Sequence, residues 1–415
     1  MGATAGPGPQ ALLLGRAADR PARDRAAAGD GLLAAGGYAD LMTIAPNRSG
    51  RAKHCLIPNL ISYPGRIVVV DVDGEAYAAT AEARRSMGRT AVRLDPFAVI
   101  GPATDRLDPI NLLDGLVEPH LTTGCQDLAD LLPLRTPFGE TFEFEAFGLL
   151  SGVIGYLAAL PEKFTFDELY PTMHSDDVVY SLAVVLDTVG AKIPKMSYAE
   201  IAAFLGQDDR SRNRVLARIR SQIAPLGNPE VRTALRHSNF PLEPSREPEA
   251  PREPDTVYLI IPAERMPIYS LLLRIWIGTL LHTLLRRPGG NRGEPPVLFL
   301  LDHCAELGSF PLLESVLRSG SRDGFRIWSF WHDVHELRAT YPVTWPTLVS
   351  NSDTVQVFGT TDTAAAAEVE ALLGLAPNEV GSLAPGEQIV RMGGTAHHAR
   401  KIDLRDVRAA RFTDR

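Results

Sequence analysis

A chain of 415 residues with 45% hydrophobic and 22% charged side chains has room for two domains, or for one large core with an insertion. Its net charge of −8 excludes a surface that wraps nucleic acid through broad positive potential and leaves only a local basic patch for that purpose. Three cysteines, Cys55, Cys125 and Cys304, have no paired spacing, which argues against a disulfide frame and fits a reducing compartment.

Residues 1–37 begin MGATAGPGPQALLLGRAADRPARDRAAAGDG, a brief apolar run among Gly, Pro and Arg. That composition predicts a flexible leader and carries no secretory signal. ADLMTIAP and RIVVVDVDG predict buried strands, with a helical stretch from Arg51 to Ser62 between them that Pro58 should kink or end. EAYAATAEARRSMG predicts a helix, and TAVRLDPF a third strand. Continuous apolar strands joined by helices predict an α/β fold, its parallel sheet covered on both faces.

From 107 to 241 the periodicity is helical throughout, broken by Pro, Gly and Asp signals, and predicts an all-α insertion. LEPSREPEAPREPD, 242–255, is a linker too polar to pack. Strands resume over 256–415 with TVYLIIP, PVLFLLDHC, FRIWSFWHD and DTVQVFGT, and a hairpin, EQIVRMGGTAHHARKIDL, closes the pattern. Met266 to Leu285 is long enough to cross a bilayer. Arg274 near its middle would cost about 2.5–3.5 kcal/mol on insertion scales, so a buried helix is expected and no intrinsic transmembrane helix. Trp276, Trp328, Trp331 and Trp345 fall in or beside apolar runs and are expected to anchor packing. Arg84, Arg85, Arg286 and Arg287 are expected at solvated helix ends.

APNRSGRAKHCLIPNL, 45–60, stands between strand and helix where a phosphate-binding loop would stand. Such a loop reads G-x-x-x-x-G-K-[ST], with lysine on the phosphates and the hydroxyl on magnesium. Here Ala45 holds the first glycine's place, and Gly50 is followed by Arg51 and Ala52. The residues alone leave open both an ordinary strand–turn–helix and a disabled nucleotide site.

The surrounding segments add more. IAPNRSGRAKHCLIPNLISYPGRIVVVDVDGEAYAATAEARRSMG and LDPF, then VYLIIPAERMP, PVLFLLDHCAELGSFPLLESVLRSG, FRIWSFWHDVHELRATYPVTWPTLVSN and VFGTTD, follow one another in a familiar order. Across roughly residues 38 to 405 they resemble the type IV secretion coupling proteins of conjugative DNA transfer, the TraG-type RecA-like ATPases. The resemblance implies a RecA-like P-loop NTPase fold over 38–106 and 256–415, its mostly parallel sheet interrupted by an all-α domain. It also implies ATP with magnesium, hexamers with nucleotide at subunit interfaces, DNA through a central pore, and other type IV secretion components as partners. The expected location is cytoplasmic and peripheral at the inner membrane. Nucleotide contact would fall on Asn47, Arg48, Ser49, Gly50, Arg51 and Ala52, and magnesium on Asp302.

The departures from the family pattern fall on those same functions. Arginine's planar fork cannot replace a compact ammonium wrapped by loop backbone, alanine offers magnesium no oxygen, and Lys53 comes too late. DVDGE puts Asp73 where the family has the lysine of DPKGE. His303 replaces the glutamate that polarises water, His332 a glutamine near the γ-phosphate, and Ser321 of GSRDG the arginine of GRGYG. A chain so changed is expected to be a pseudo-ATPase that acts by subunit association, in homo-hexamers or beside an active paralogue. The alternative is an active DNA-translocating ATPase with relocated residues, Glu306 being the candidate. Asp302, His303 and His332 raise a further alternative, a zinc site, against ordinary hydrogen-bonded histidines.

Overall fold

The computed structural model describes residues 11–17, 32–36, 40–136, 139–160, 164–243, 252–287, 295–319 and 324–407. The chain divides into two compact units. One comprises Met1–Val92, Pro254–Ile260 and Pro288–Arg415, the other Arg93–Glu253 and Ile261–Arg287.

The first unit is built on an 11-stranded sheet in the order β2-β1-β11-β10-β9-β3-β8-β7-β4-β6-β5. The strands are β1 (Leu12–Ala17), β2 (Leu32–Ala35), β3 (Leu41–Ile44), β4 (Ile67–Val72), β5 (Ala91–Leu94), β6 (Thr256–Ile261), β7 (Val297–Leu301), β8 (Phe325–Trp331), β9 (Thr354–Phe358), β10 (Glu387–Met392) and β11 (Thr395–Lys401). β9, β3, β8, β7 and β4 run parallel to their neighbours in that series. β3, β6, β7, β8 and β9 are buried at every position, as strands covered on both faces must be. On one flank the pairing turns antiparallel, from β9 through β10, β11 and β1 to β2.

That flank corrects the expected leader. Leu12, Leu13 and Leu14 are 0%, 6% and 0% exposed, and β1 pairs with β11, placing Gly15 opposite Lys401. The side-chain amide of Asn59 acts as a further strand for it: Leu13 N donates to Oδ1 at 2.8 Å, and Nδ2 donates to Leu13 O at 2.9 Å. Gly15 is required by that crowding, because a Cβ would lie 2.2 Å from the Gln388 amide. The run looks like a leader in sequence because its partner strand lies at the other end of the chain.

The second unit is helical. Thr141–Ala159 is its central helix, surrounded by His120–Asp130, Lys195–Leu205 and Asp209–Ile223. Its bounds differ from the expected 107–241. Arg93 and Asp105 already pair across a turn, Asp105 N donating to Arg93 O at 2.8 Å, and Met266–Leu285 belongs here rather than with the strands that flank it in sequence. That helix is apolar on all sides and so is buried, with Arg274 Nε donating to Leu131 O at 3.1 Å. Thr141–Ala159 and Ala263–Leu285 are each long and apolar enough to cross a membrane, and 61% and 72% of their most apolar stretches are buried.

The linker expected over 242–255 is ordered at its end, where Asp255 binds Arg89 at 2.9 Å and the amide of Thr90 at 2.9 Å; 244–251 lie outside the described residues. Trp276, Trp328 and Trp331 are fully buried, and the indole N–H of Trp328 donates to Thr43 at 2.8 Å. Arg84 is not a solvated helix end. It is 1% exposed.

Candidate nucleotide site

The loop leaves β3 at Ala45, in the row of parallel strand ends where α/β folds place their ligands. Ser49 N closes a turn on Pro46 O at 3.2 Å, and Arg48 (φ 61°) and Gly50 (φ 91°) take left-handed backbone. Gly50 is needed there: a Cβ at that point would also fall 2.7 Å from the His54 ring. The following helix does not end at Pro58. Proline lacks the amide that the helix ladder would use, and Ala52–Leu56 widens into a π-helical turn, Ile57 N reaching back to Ala52 O, before Ile57–Ser62 resumes α-helical winding. Lys53 is exposed.

Arg51 turns inward and is 7% exposed. Its Nε lies 3.2 Å from Asp302 Oδ1, Nη1 donates to Ala45 O at 3.4 Å, and Nη2 reaches Asn47 Oδ1 at 3.2 Å and His303 Nε2 at 2.9 Å. A guanidinium only donates, so His303 must accept through Nε2 and carry its proton on Nδ1. Asp302 and His303 stand just past β7, with β8 between that strand and β3 in the sheet. His303 is held at φ 53°, its own amide donating to Asp302 Oδ1 at 2.9 Å. The structure thus brings together Arg51, Asn47, Asp302 and His303.

The other expected site residues are not gathered with them. His332 binds Asp333 through Nδ1 at 3.3 Å, and its amide donates to Glu336 at 2.7 Å. Glu306 is exposed on the turn Cys304–Leu307, Asp73 is exposed at φ 64°, and Ser321 lies outside the described residues. Among the described residues no group of three His, Cys, Asp or Glu is placed to hold a metal ion, which corrects the zinc alternative for Asp302, His303 and His332. The donor set at the loop also fits magnesium poorly. Asp302 Oδ1 is already taken by Arg51 and by an amide, and Ala52 has no hydroxyl.

Three neighbours of the loop were not singled out from sequence. Asp71 accepts from the amides of Ala76 at 2.9 Å and Tyr77 at 2.7 Å, capping the helix Glu75–Ser86. His54, on the helix after the loop, bonds to Ile402 O, and Lys401 touches the loop from the hairpin side. The D-x-x-G-E spacing was a usable signal for Asp71; nothing local marks Lys401. Burial pushes Asp71 up to about 7, its two amide hydrogen bonds pulling the other way. Raised above its ordinary 3.8, the carboxyl binds its proton more tightly folded than unfolded. Its stabilising share is therefore full below 3.8 and is lost as pH rises through about 7. Thermal melts from about pH 4 to 8 are expected to show that decline, and Asp71→Asn to remove its part of the slope.

Comparison with known proteins bears on the family and the fold. The family model for type IV secretory system conjugative DNA transfer matches residues 13–387. VirD4 of Rhizobium rhizogenes is 23% identical over 297 residues, covering 66% of this chain and 40% of that protein. The conjugal transfer protein TraG of Escherichia coli is 23% identical over 322 residues, covering 72% and 49%. The chain thus spans about half the length, or less, of the curated relatives it matches. Among solved structures, the plasmid coupling protein TrwB in complex with the ATP analogue ADPNP superposes with a TM-score of 0.66 at 15% identity, covering 88% of this chain and 85% of that one. VirB4 of Thermoanaerobacter pseudethanolicus gives 0.56 at 13% identity, covering 98% and 100%. At such identities the structures speak for the fold alone, a RecA-like P-loop NTPase fold of the α/β class. With the family model covering most of its length, the chain belongs to the conjugative DNA transfer family of type IV secretion coupling proteins.

Proposed function

We propose that this protein serves conjugative transfer as a pseudo-ATPase, a coupling-protein-like subunit that works by associating with other subunits. One observation carries the reading: the guanidinium of Arg51 sits in the loop and is bound to Asp302, His303, Asn47 and Ala45. The carboxylate that would orient magnesium already has a cation, and it comes from the protein itself. A divalent ion would have to displace a nearly buried arginine, in a site where Ala52 offers no hydroxyl at the position after Arg51. Its partners are other type IV secretion components or an active paralogue within a hexamer, with DNA in the pore and a peripheral position at the inner membrane.

TrwB is known with ADP and magnesium, and that fold-level likeness keeps nucleotide binding as a second reading, in which Arg51 swings from Asp302 to a phosphate. The deciding experiment incubates the full chain with ATP and magnesium, alone, with DNA, and with a candidate active paralogue. Turnover by the chain alone below the ordinary enzyme range, which begins near ~1 s⁻¹, is expected, with co-assembly seen by native mass spectrometry. Turnover at or above that rate that Glu306→Ala abolishes would replace this reading with the active-enzyme one.

A further inference from the structure

The loop is gripped from a second side. Lys401, the last residue of β11, donates from Nζ to the carbonyl of Ser49 at 3.3 Å and to that of Pro385 at 2.8 Å, and stands 3.9 Å from the centre of the Phe358 ring. One residue on, Ile402 O accepts from Nδ1 of His54 at 2.7 Å, which fixes the tautomer of that ring. The same ring closes over Gly50.

Three features separate this from an ordinary surface lysine. Burial draws the Lys401 ammonium below the usual lysine range. Among the described residues no carboxylate ion pair accompanies it, so its hydrogen bonds go to main-chain carbonyls. The carbonyl it holds in the loop belongs to the residue between Arg48 and Gly50, both in left-handed backbone. A non-glycine residue there is strained, and such strain persists only where the surroundings over-determine it.

We propose that Lys401 is a positioning residue for the nucleotide loop, so that the β10–β11 hairpin, through Lys401 on Ser49 and Ile402 on His54, sets the conformation the loop presents to a phosphate-bearing ligand. The brace continues into the N-terminal strand, because Gly15 of β1 is the register partner of Lys401 and Asn59, on the helix after the loop, grips Leu13 of β1. β1, the hairpin and the loop helix therefore form a closed ring of contacts. The inference deepens the pseudo-ATPase reading: Arg51 holds the loop from within and Lys401 from without.

Hydrogen exchange on the full chain, without nucleotide, tests it independently of whether ATP is turned over. Lys401→Met is expected to speed exchange of amides 47–54 on the order of tenfold, the worth of one charge-assisted hydrogen bond, with β7 and β8 unchanged. Lys401→Arg, which keeps a cation with several donors, is expected to restore most of the protection. A fluorescent ADP titration of the same variants then reads whether the loosened loop has altered affinity. Unchanged loop exchange in Lys401→Met overturns the proposal. So does equal acceleration across β10, β11 and the loop that Lys401→Arg fails to reverse, since that is the signature of a merely structural lysine. Catalytic turnover in the unaltered chain would overturn the pseudo-ATPase reading and leave this one standing.

Discussion

Replacing Arg51 with methionine is expected to lower the unfolding free energy by about 3–5 kcal/mol, the usual consequence of removing one partner from a buried ion pair. The side chains of Arg51 and Asp302 are 7% and 9% exposed, so solvent screening does little for either. Methionine fills similar volume but leaves the Asp302 carboxylate, among the described residues, with one amide donor, from His303, and leaves Asn47 and His303 without their guanidinium contacts. Most of the loss is the stranded charge rather than the worth of the pair. Arg51→Met combined with Asp302→Asn is therefore expected to recover more than half of it. Chemical denaturation of the two single variants and the double variant gives the coupling directly. A single-variant loss under about 1 kcal/mol would mean a solvated, surface-like pair, and the occupied-site argument would fall with it.

That pair also marks where the sequence stopped being informative. The position of the loop could be read, because an apolar strand, a glycine and a helix follow one another in a pattern few other turns produce. So could the strands β4, β6, β7 and β8, whose mostly apolar runs suit a sheet covered on both faces. The direction of Arg51 could not, since it depends on Asp302 and His303, some 250 residues further on, as the 252-residue separation from His303 shows. Lys401 is the same case, bonded to a carbonyl 352 residues away. β1 was hidden for a related reason: LLLGRA has too few residues to show a period, and its pairing partner and the Asn59 clamp are both remote. Helix Met266–Leu285 could be recognised as buried from Arg274 and its length, but not assigned to a unit, because a helix apolar on every side carries no face that points to its neighbours. Pro58 was correctly suspect, yet the backbone absorbed it by widening one turn instead of stopping.

The adjacent arginines on the helix Glu75–Ser86 give the sharpest contrast, and Arg84→Met is expected to cost about 4 kcal/mol or more while Arg85→Ala costs within about 0.5 kcal/mol. In sequence the two are equivalent basic residues in the last turn of a helix. In the structure Arg84 donates from Nε to Thr256 Oγ1 at 2.8 Å, from Nη1 to the carbonyls of Tyr63 at 2.8 Å and Leu60 at 3.3 Å, and from Nη2 to Gly65 O at 3.1 Å. Those carbonyls close the end of the helix that begins at the nucleotide loop, where a cation also meets the negative end of the helix dipole. Methionine would leave each acceptor buried without that donor, at about 1–3 kcal/mol apiece before relaxation. Lysine keeps the charge but not the planar fork, and its ammonium cannot span Thr256, Tyr63 and Gly65 together, so Arg84→Lys should fall between. Arg85, by contrast, is 43% exposed on its side chain, and its bond to the Tyr77 hydroxyl at 2.8 Å competes with water. Equal losses for the two variants in urea denaturation would refute the buried clamp. A large loss for Arg84→Met alone would show that the helix carrying the loop is fastened at both ends, by Arg51 at its start and Arg84 at its close.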